Sequence, residues 1–127
     1  MKILGIGVDI VENKRIQKSI KNALFIKRIY TSKELKQSKG VVNKVGYFSK
    51  RFAAKEAFSK ALGTGISKGI NFREIYVNNV STGKPTIKLE GKTKMITEKK
   101  LKTKKFGMFL SLSDDKPFAL ATVVISL

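Results

Sequence analysis

The strongest pattern of apolar and polar residues along the chain is helical and predicts a long central helix over Asn43–Leu62. Its apolar residues recur at i, i+3, i+4, i+7 and i+8, which places them on one face that packs into a core. These residues are Ala54, Ala57, Phe58, Ala61 and Leu62. Gly63 follows where a glycine C-cap ends a helix, whereas Gly46 disfavours helix by about 1 kcal/mol relative to Ala. The pattern therefore defines the end of this helix better than its start.

An early strand is predicted at Ile3–Val8, an apolar run with glycines at positions 5 and 7, where a backbone or a ligand can approach closely. Asp9 follows this strand. Asp9 and Glu12 have the spacing of a capping box, which predicts a basic helix running to about Asn22.

Further along, Phe25–Tyr30 is predicted to form a helical turn, and Thr31 with Glu34 forms a second capping box that opens a short helix ending at Gly40. After the turn-rich GTGISKG segment, strands and turns dominate. The predicted elements are strands at Phe72–Val77, Thr86–Glu90, FGMFLSLS (with Phe106, Met108, Leu110 and Leu112 on one face) and FALATVVIS, and a very basic helix or loop at Gly91–Lys105. These elements predict a single small α+β domain over residues 1–127, with a long central helix and an antiparallel sheet.

Composition removes several kinds of chemistry. The chain has neither cysteine nor histidine, which excludes disulfides, thiolate nucleophiles, zinc clusters of these residues and imidazole bases. No apolar run of eighteen residues is present, so no membrane span is expected. The MKILGIGVDI start predicts a strand rather than a signal peptide, and we expect a cytoplasmic protein.

The net charge of +18 suggests an acidic partner, but lysine supplies 23 of the 27 basic residues. Isoleucine and asparagine are also frequent, as in genomes rich in A and T, so the total charge is a poor guide to the partner. The four arginines are the more informative cations. They are Arg15, Arg28, Arg51 and Arg73.

Among the nine acidic residues, Asp9 and Glu56 are the best candidates for a site. A carboxylate at a strand end and one on a central helix suit Mg²⁺, which one or two carboxylates hold together with substrate phosphates and water. Lys60, one turn beyond Glu56, would then contact a phosphate. The alternatives are structural: Asp9 as the N-cap of the next helix, and Glu56 with Lys60 as a solvated i, i+4 pair.

Phosphate-binding loops give only weak signals. The chain has no GxxxxGK[ST], and GIGVD is too short for a dinucleotide fingerprint. GTG at 63–65 and STGK at 81–84 are common glycine turns. An aromatic RNA-binding signature is also missing, which weakens a nucleic-acid function.

Three motifs together resemble the holo-acyl-carrier-protein synthase family of 4′-phosphopantetheinyl transferases. They are GIGVDIVENKRI at 5–16, FIKRIYTSKEL at 25–35 and RFAAKEAFSKALGTGI at 51–66. FREIYV, GKPTIKL and SLSDDKPFALATVVI continue the similarity in order, so it covers essentially the whole chain. Three of the four arginines fall within these motifs.

The resemblance implies transfer of 4′-phosphopantetheine from coenzyme A to a serine of an acidic acyl carrier protein, in support of fatty acid biosynthesis. It implies Mg²⁺ bound by Asp9 and Glu56, which with Lys60 form the catalytic set, and a homotrimer with sites between subunits. The implied coenzyme-binding residues are Arg51, Lys55, Lys60, Gly63, Gly65 and Lys84. The implied carrier-binding residues are Arg15 and Arg28.

One position departs from the family pattern: Asp114 stands where many members have a histidine. The base that deprotonates the serine is therefore a carboxylate, a metal-bound water or a group on the carrier, and the sequence does not choose among them. Two other functions compete. A nucleic-acid-binding domain would use the lysines at 92–105, and a trimeric binding module that lost catalysis would have changed Asp9 and Glu56, which are intact.

Overall fold

A long helix lying across a three-stranded sheet organises the molecule, as seen in a computed structural model that describes residues 1–127. The contacts between this helix and the first strand form one of the largest interfaces in the chain. The elements are β1 (Ile3–Glu12), α1 (Asn13–Ser19), α2 (Ala23–Ile29), α3 (Ser32–Ser38), α4 (Lys44–Leu62), β2 (Ile75–Asn79), β3 (Pro85–Leu89), α5 (Gly91–Leu101), β4 (Gly107–Asp115) and β5 (Phe118–Ser126). A 3₁₀ turn at Phe72–Glu74 precedes β2.

Both sheets are antiparallel, which confirms the predicted α+β class. The larger sheet has the order β1-β5-β4, so the N-terminal strand pairs with the C-terminal one, with Asp9 opposite Ala121. The smaller sheet is the β2–β3 hairpin. The sequence pattern indicated the strands but not that β1 would join the last two.

The central helix α4 agrees with its prediction. The Asn43 side chain accepts a hydrogen bond from the Gly46 amide at the start, and Gly63 ends the helix in the left-handed conformation (φ 88°). All five residues of the predicted stripe are buried. The helix lies so close to β1 that a Cβ atom on Gly7 would be 1.9 Å from the carbonyl oxygen of Ala57. Only glycine permits this approach, and it brings the β1 residues beyond Gly7 alongside the middle of α4.

The capping box predicted for Asp9 and Glu12 is wrong. β1 continues through both residues to Glu12, which pairs with Phe118 of β5, and Glu12 is the N-cap of α1 without a side-chain hydrogen bond. The ladder to β5 satisfies the backbone in place of a local cap. The box at Thr31 and Glu34 is confirmed.

Other boundaries also differ from their predictions. Helix α1 ends at Ser19, before the expected Asn22, and α3 ends at Ser38, before Gly40. The strand predicted at Phe72–Val77 begins with the 3₁₀ turn and runs to Asn79.

The face of the larger sheet that points away from α4 is largely apolar and uncovered. In β1 the side chains on this face are 65%, 52% and 57% exposed for Ile6, Val8 and Ile10. Phe109 of β4 is 47% exposed and pairs with Val124 of β5. Thr122 and Ser111 interrupt this face beside Val8, so it is largely but not wholly apolar. Large exposed apolar patches are typical of interaction surfaces.

Candidate functional site

Asp9, Lys60 and Glu56 meet at the edge of α4 that faces β1. Nζ of Lys60 lies 3.0 Å from Oδ1 of Asp9 and donates a second hydrogen bond to the carbonyl of Val8 at 3.2 Å. The Asp9 side chain is only 15% exposed, whereas that of Lys60 is 52% exposed. The ion pair of Lys60 is therefore with Asp9 across the two elements, and not with Glu56 as in a solvated helical pair.

The Glu56 carboxylate accepts no hydrogen bond from the protein. Its burial, together with the negative charge of Asp9, raises the pKa of Glu56, while Lys60 and Arg15 oppose the rise. The Glu56 and Asp9 carboxylates thus repel each other at a partly buried position. The positive charges of Lys60 and Arg15 do not fully cancel this effect on Glu56. A cation between them would relieve this repulsion.

The residues fit a magnesium ion. Hard carboxylate oxygens from Asp9 and Glu56 are the donors that Mg²⁺ prefers, and two suffice when phosphate and water complete the octahedron. No group of three or more metal-binding side chains occurs in the structure. The protein by itself therefore offers two carboxylates, fewer ligands than the six that Mg²⁺ takes.

The position of Lys55 contradicts the prediction that this residue contacts the coenzyme. Its side chain is fully buried and lies 2.6 Å from Oε1 of the equally buried Glu34. Nζ also donates to the carbonyls of Ile29 at 2.6 Å and Phe72 at 3.2 Å. Burial lowers the pKa of Lys55 and the Glu34 carboxylate opposes this. With three hydrogen bonds to protein acceptors and no exposure, the ammonium does not face a ligand.

Arg51 lies in a different part of the molecule and is buried, with 6% of the residue exposed. Its guanidinium lies 3.7 Å from the centre of the Tyr47 ring and donates to Oδ1 of Asn79 at 3.0 Å, while Nε has no hydrogen-bond partner. Arg51 and Lys50 line an open cavity of about 430 Å³ together with amide side chains. An anion entering this cavity would meet Lys50, which is paired with Asp114, and the small exposed part of the Arg51 side chain, whereas Nε of Arg51 is buried.

Lys84 lies exposed in the β2–β3 turn. This turn connects to the Arg51 cavity because the Asn79 side chain bonds both Arg51 and the carbonyl of Gly83. Lys84 is therefore on the Arg51 side of the molecule, and not beside Lys60.

Gly63 and Gly65 form an open turn at the end of α4, with φ values of 88° and 65°. Their amides both donate to the carbonyl of Ser59, so they are not free to bind phosphate in this conformation. A Cβ atom on Gly65 would meet nothing within 4 Å. The turn thus offers a surface without side chains rather than a set of N–H donors.

The two predicted carrier contacts are exposed on neighbouring helices. Arg15 of α1 lies 5.3 Å from the centre of the Phe52 ring and is close enough to Glu56 to affect its charge. Arg28, in the last turn of α2, lines an open cavity of about 450 Å³ that also includes Phe72 and Lys92.

Sequence reasoning missed the role of Glu34, which it assigned only to a capping box. A signal was present, since Lys55 lies three and seven residues before the buried Phe58 and Leu62. A charged residue on a core face requires a partner of opposite charge. It also missed Lys50, which pairs with Asp114 at 2.9 Å.

The comparisons with known proteins agree with one another. The sequence profile of the 4′-phosphopantetheinyl transferase superfamily matches residues 5–123. A holo-[acyl-carrier-protein] synthase of Pelagibacter ubique is 53% identical over 125 residues, covering 98% of both chains. That of Zymomonas mobilis is 42% identical over 128 residues, covering 97% of this chain and 96% of the relative.

Solved structures show the same similarity. A holo-(acyl-carrier-protein) synthase from Bacillus anthracis in complex with CoA (3′,5′-ADP) superposes with a TM-score of 0.82 at 38% identity, covering 99% of this chain and 98% of that one. A holo-[acyl-carrier-protein] synthase from Neisseria meningitidis gives a TM-score of 0.88 at 38% identity, covering 98% and 99%. None of the helices of the present structure has the length and apolar character needed to span a membrane.

Proposed function

The chain belongs to the 4′-phosphopantetheinyl transferase superfamily, and on that basis we propose that it transfers the 4′-phosphopantetheine group of coenzyme A to a serine of an apo acyl carrier protein. The observation that carries this proposal is the cluster of Asp9, Glu56 and Lys60, which combines two carboxylates and one ammonium at a single edge of α4. A binding module without catalysis has no need of this combination.

The reaction forms one bond and breaks one. The serine oxygen of the carrier bonds to the phosphorus that carries pantetheine, the bond from that phosphorus to the bridging oxygen of the pyrophosphate breaks, and the nucleotide half leaves. The serine proton passes to a base, which is a carboxylate, a metal-bound water or a group on the carrier. Positioning and neutralisation of phosphate charge supply most of the catalysis in such transfers.

Mg²⁺ would be held by the Asp9 and Glu56 carboxylates and would supply positive charge to the phosphate oxygens. Lys60 would bind another phosphate oxygen of the coenzyme through its exposed ammonium, which is free to turn from Asp9 because half of its side chain is in solvent.

The nucleotide end of the coenzyme would use Arg51, Lys84, Gly63 and Gly65. Arg51 and Lys60 are nine residues apart on α4, which at 3.6 residues per turn places them on opposite sides of the helix. One coenzyme molecule bound to both sides of a single α4 would have to pass around the helix. A coenzyme that contacts Lys60 of one subunit and Arg51 of another avoids this difficulty.

We therefore include a homotrimer with sites shared between subunits in the proposal. The uncovered apolar face of the larger sheet supports it, because a closed cyclic assembly would bury that face in equivalent contacts. We expect the strands over residues 106–113 and 117–126 to form this contact, and β1 adds Ile6, Val8 and Ile10 to the same surface.

An acidic carrier protein would dock on the exposed Arg15 of α1, beside Phe52, and on the exposed Arg28 of α2, beside Phe72. We also propose that the reaction serves fatty acid biosynthesis, since the relatives are named for an acyl carrier protein, and that it takes place in the cytoplasm.

Mass spectrometry of an apo acyl carrier protein incubated with this chain, coenzyme A and Mg²⁺ tests the proposal. We expect a gain of about 340 Da per carrier, as transfer of phosphopantetheine requires. Asp9→Asn is the matched control, since it keeps the size of the side chain but removes the charge. No gain in mass with the unaltered chain would contradict the proposal. An equal gain with Asp9→Asn would contradict the metal site.

A further inference from the structure

The buried pair of Lys55 and Glu34 connects segments that are distant along the chain. Besides the bond to Lys55, Oε1 of Glu34 accepts from the Thr31 amide at 2.8 Å and Oε2 accepts from the Val77 amide at 2.9 Å. Lys55 of α4 bonds the carbonyls of Ile29 at the end of α2 and of Phe72 in the turn before β2. Through its bond to Glu34, it is also connected to the start of α3 and to β2.

This pair lies between two parts of the proposed site. Ile29, whose carbonyl accepts from Lys55, directly follows Arg28. On α4, Lys55 directly precedes Glu56. One connection between Arg28 and Glu56 therefore passes through the single hydrogen bond of 2.6 Å from Lys55 to the carbonyl of Ile29.

The same ammonium connects the two walls of the cavity beside Arg28. Arg28 and Phe72 both line this cavity of about 450 Å³. Lys55 donates to the carbonyl next to Arg28 and to the carbonyl of Phe72 itself, so one Nζ atom limits how far the two walls can separate. Phe72 also stacks on Phe52, with ring centres 5.6 Å apart, on the same side of α4.

Stability alone is a weak reason for a buried ion pair, because the desolvation of two charges offsets most of their attraction and apolar pairs of similar volume often serve as well. A directional network is better suited to holding backbone segments at fixed distances. From this geometry we infer that Lys55 and Glu34 are positioning residues, which hold the α2–α3 corner and Arg28 at the distance from Glu56 that a docked carrier requires. The inference rests on the proposed transferase function.

The test compares binding of the two substrates. In Lys55→Met and in the double variant Lys55→Met/Glu34→Leu, we expect the KM for the carrier to rise about tenfold or more, because docking is sensitive to displacements near 1 Å. The affinity for coenzyme A, measured by calorimetry, should stay within about twofold, since no coenzyme contact is removed. Lys36→Met, an exposed lysine on α3, is the control for loss of charge and should change neither value.

The double variant separates positioning from stability, because it leaves no unpaired buried charge and should unfold cooperatively like the unaltered chain. Hydrogen exchange should show faster exchange of the Thr31 and Val77 amides, which lose their acceptor. An unchanged carrier KM in the folded double variant would overturn the inference, as would a parallel loss of carrier and coenzyme affinity. If the unaltered chain transfers nothing, the proposed function fails instead, a result that no variant can imitate.

Discussion

Lys60 carries its ammonium 3.0 Å from the Asp9 carboxylate, so one of the two proposed metal ligands already has a positive partner in the protein alone. The same ammonium is the proposed phosphate contact. Two of its three N–H donors bond Val8 and Asp9, so the third can bind a phosphate, although Asp9 already neutralises part of its charge. A divalent cation at Asp9 would compete with Lys60 for this carboxylate and leave the lysine to the coenzyme.

Lys60→Ala should therefore have two opposite effects. The KM for coenzyme A should rise about tenfold or more because a phosphate contact is lost. Binding of Mn²⁺, followed by electron paramagnetic resonance without coenzyme, should become tighter because a competing cation is removed. Lys99→Ala on α5 is the control and should alter neither. Weaker Mn²⁺ binding by Lys60→Ala would show that the two cations do not compete.

Glu56→Gln should lower activity by orders of magnitude and yet stabilise the protein in the absence of metal. The pKa of Glu56 is raised in the folded state by burial and by Asp9, so the ionised carboxylate opposes folding, increasingly so as pH rises from the ordinary range near 4.5 through the folded pKa. At pH 7 the variant should melt at a higher temperature than the unaltered chain, and the difference should shrink on acidification.

Adding Mg²⁺ reverses this comparison. A ligand that binds only the folded state raises the free energy of unfolding by RT ln(1 + [L]/Kd), so tighter binding stabilises more. Mg²⁺ should therefore raise the Tm of the unaltered chain more than that of Glu56→Gln. Equal shifts would remove Glu56 from the metal site.

The central helix could be predicted from sequence because its signals are local. Asn43 caps it, Gly63 ends it, and the stripe between them repeats with the period of an α-helix. Asp9 shows where local signals fail. Its spacing from Glu12 is that of a capping box, but a strand more than one hundred residues away, β5, pairs with this segment and keeps it extended.

Site residues divide in the same way. The i, i+4 spacing places Glu56 and Lys60 on one edge of α4, and the close approach at Gly7 brings Asp9 of β1 to the same edge. Both features can be recognised in the sequence. The burial of Lys55 could not be predicted from the sequence, since it depends on Glu34, which reaches α4 only through the tertiary packing of α3. A motif identifies lysines on a helix but does not say which of them points to solvent.

Glu74→Ala should destabilise the protein in a pH-dependent manner. Glu74 accepts hydrogen bonds from the amides of Lys92 and Thr93 and from the Thr93 hydroxyl, and so caps α5, whose own N-cap residue makes no side-chain bond. Burial opposes ionisation, but these hydrogen bonds lower the pKa of Glu74 overall.

At neutral pH, Glu74→Ala should lower the free energy of unfolding by about 1 kcal/mol, as the loss of other helix caps does. Because the folded pKa is lowered, the contribution is present above the ordinary pKa near 4.5 and is lost as pH falls through the folded value. Urea unfolding at pH 7 and at pH 3 measures both. A constant difference between the two pH values would contradict a role of the charged carboxylate.

Arg15→Glu should weaken the binding of the carrier and leave the binding of coenzyme A unchanged. Arg15 is exposed on α1 and rests on the Phe52 ring, so its guanidinium is held at the surface where an acidic helix would dock. The carrier KM should rise, and the salt dependence of the remaining activity should weaken because a screened attraction is lost. An equal loss for both substrates would place Arg15 in the catalytic centre, close to Glu56.

The uncovered sheet face gives the last prediction. Val8 is 52% exposed at the centre of β1, between Ile6 and Ile10, on the face turned away from α4. If three subunits bury this face, Val8→Asp places a charge in each of three equivalent contacts and should yield a folded monomer. Because the coenzyme is proposed to lie between subunits, this monomer should also lose coenzyme binding although it keeps Asp9, Glu56 and Lys60.

Light scattering should give three times the 14.1 kDa chain mass for the unaltered protein and one chain mass for Val8→Asp. Met95→Asp is the matched control, since Met95 is 69% exposed but lies on α5, away from the sheet face, and the trimer should persist. An active unaltered protein at one chain mass would refute both the trimer and the shared site. A Val8→Asp monomer that still binds coenzyme A would refute the shared site alone, and each α4 would then have to hold its coenzyme without help from a neighbour.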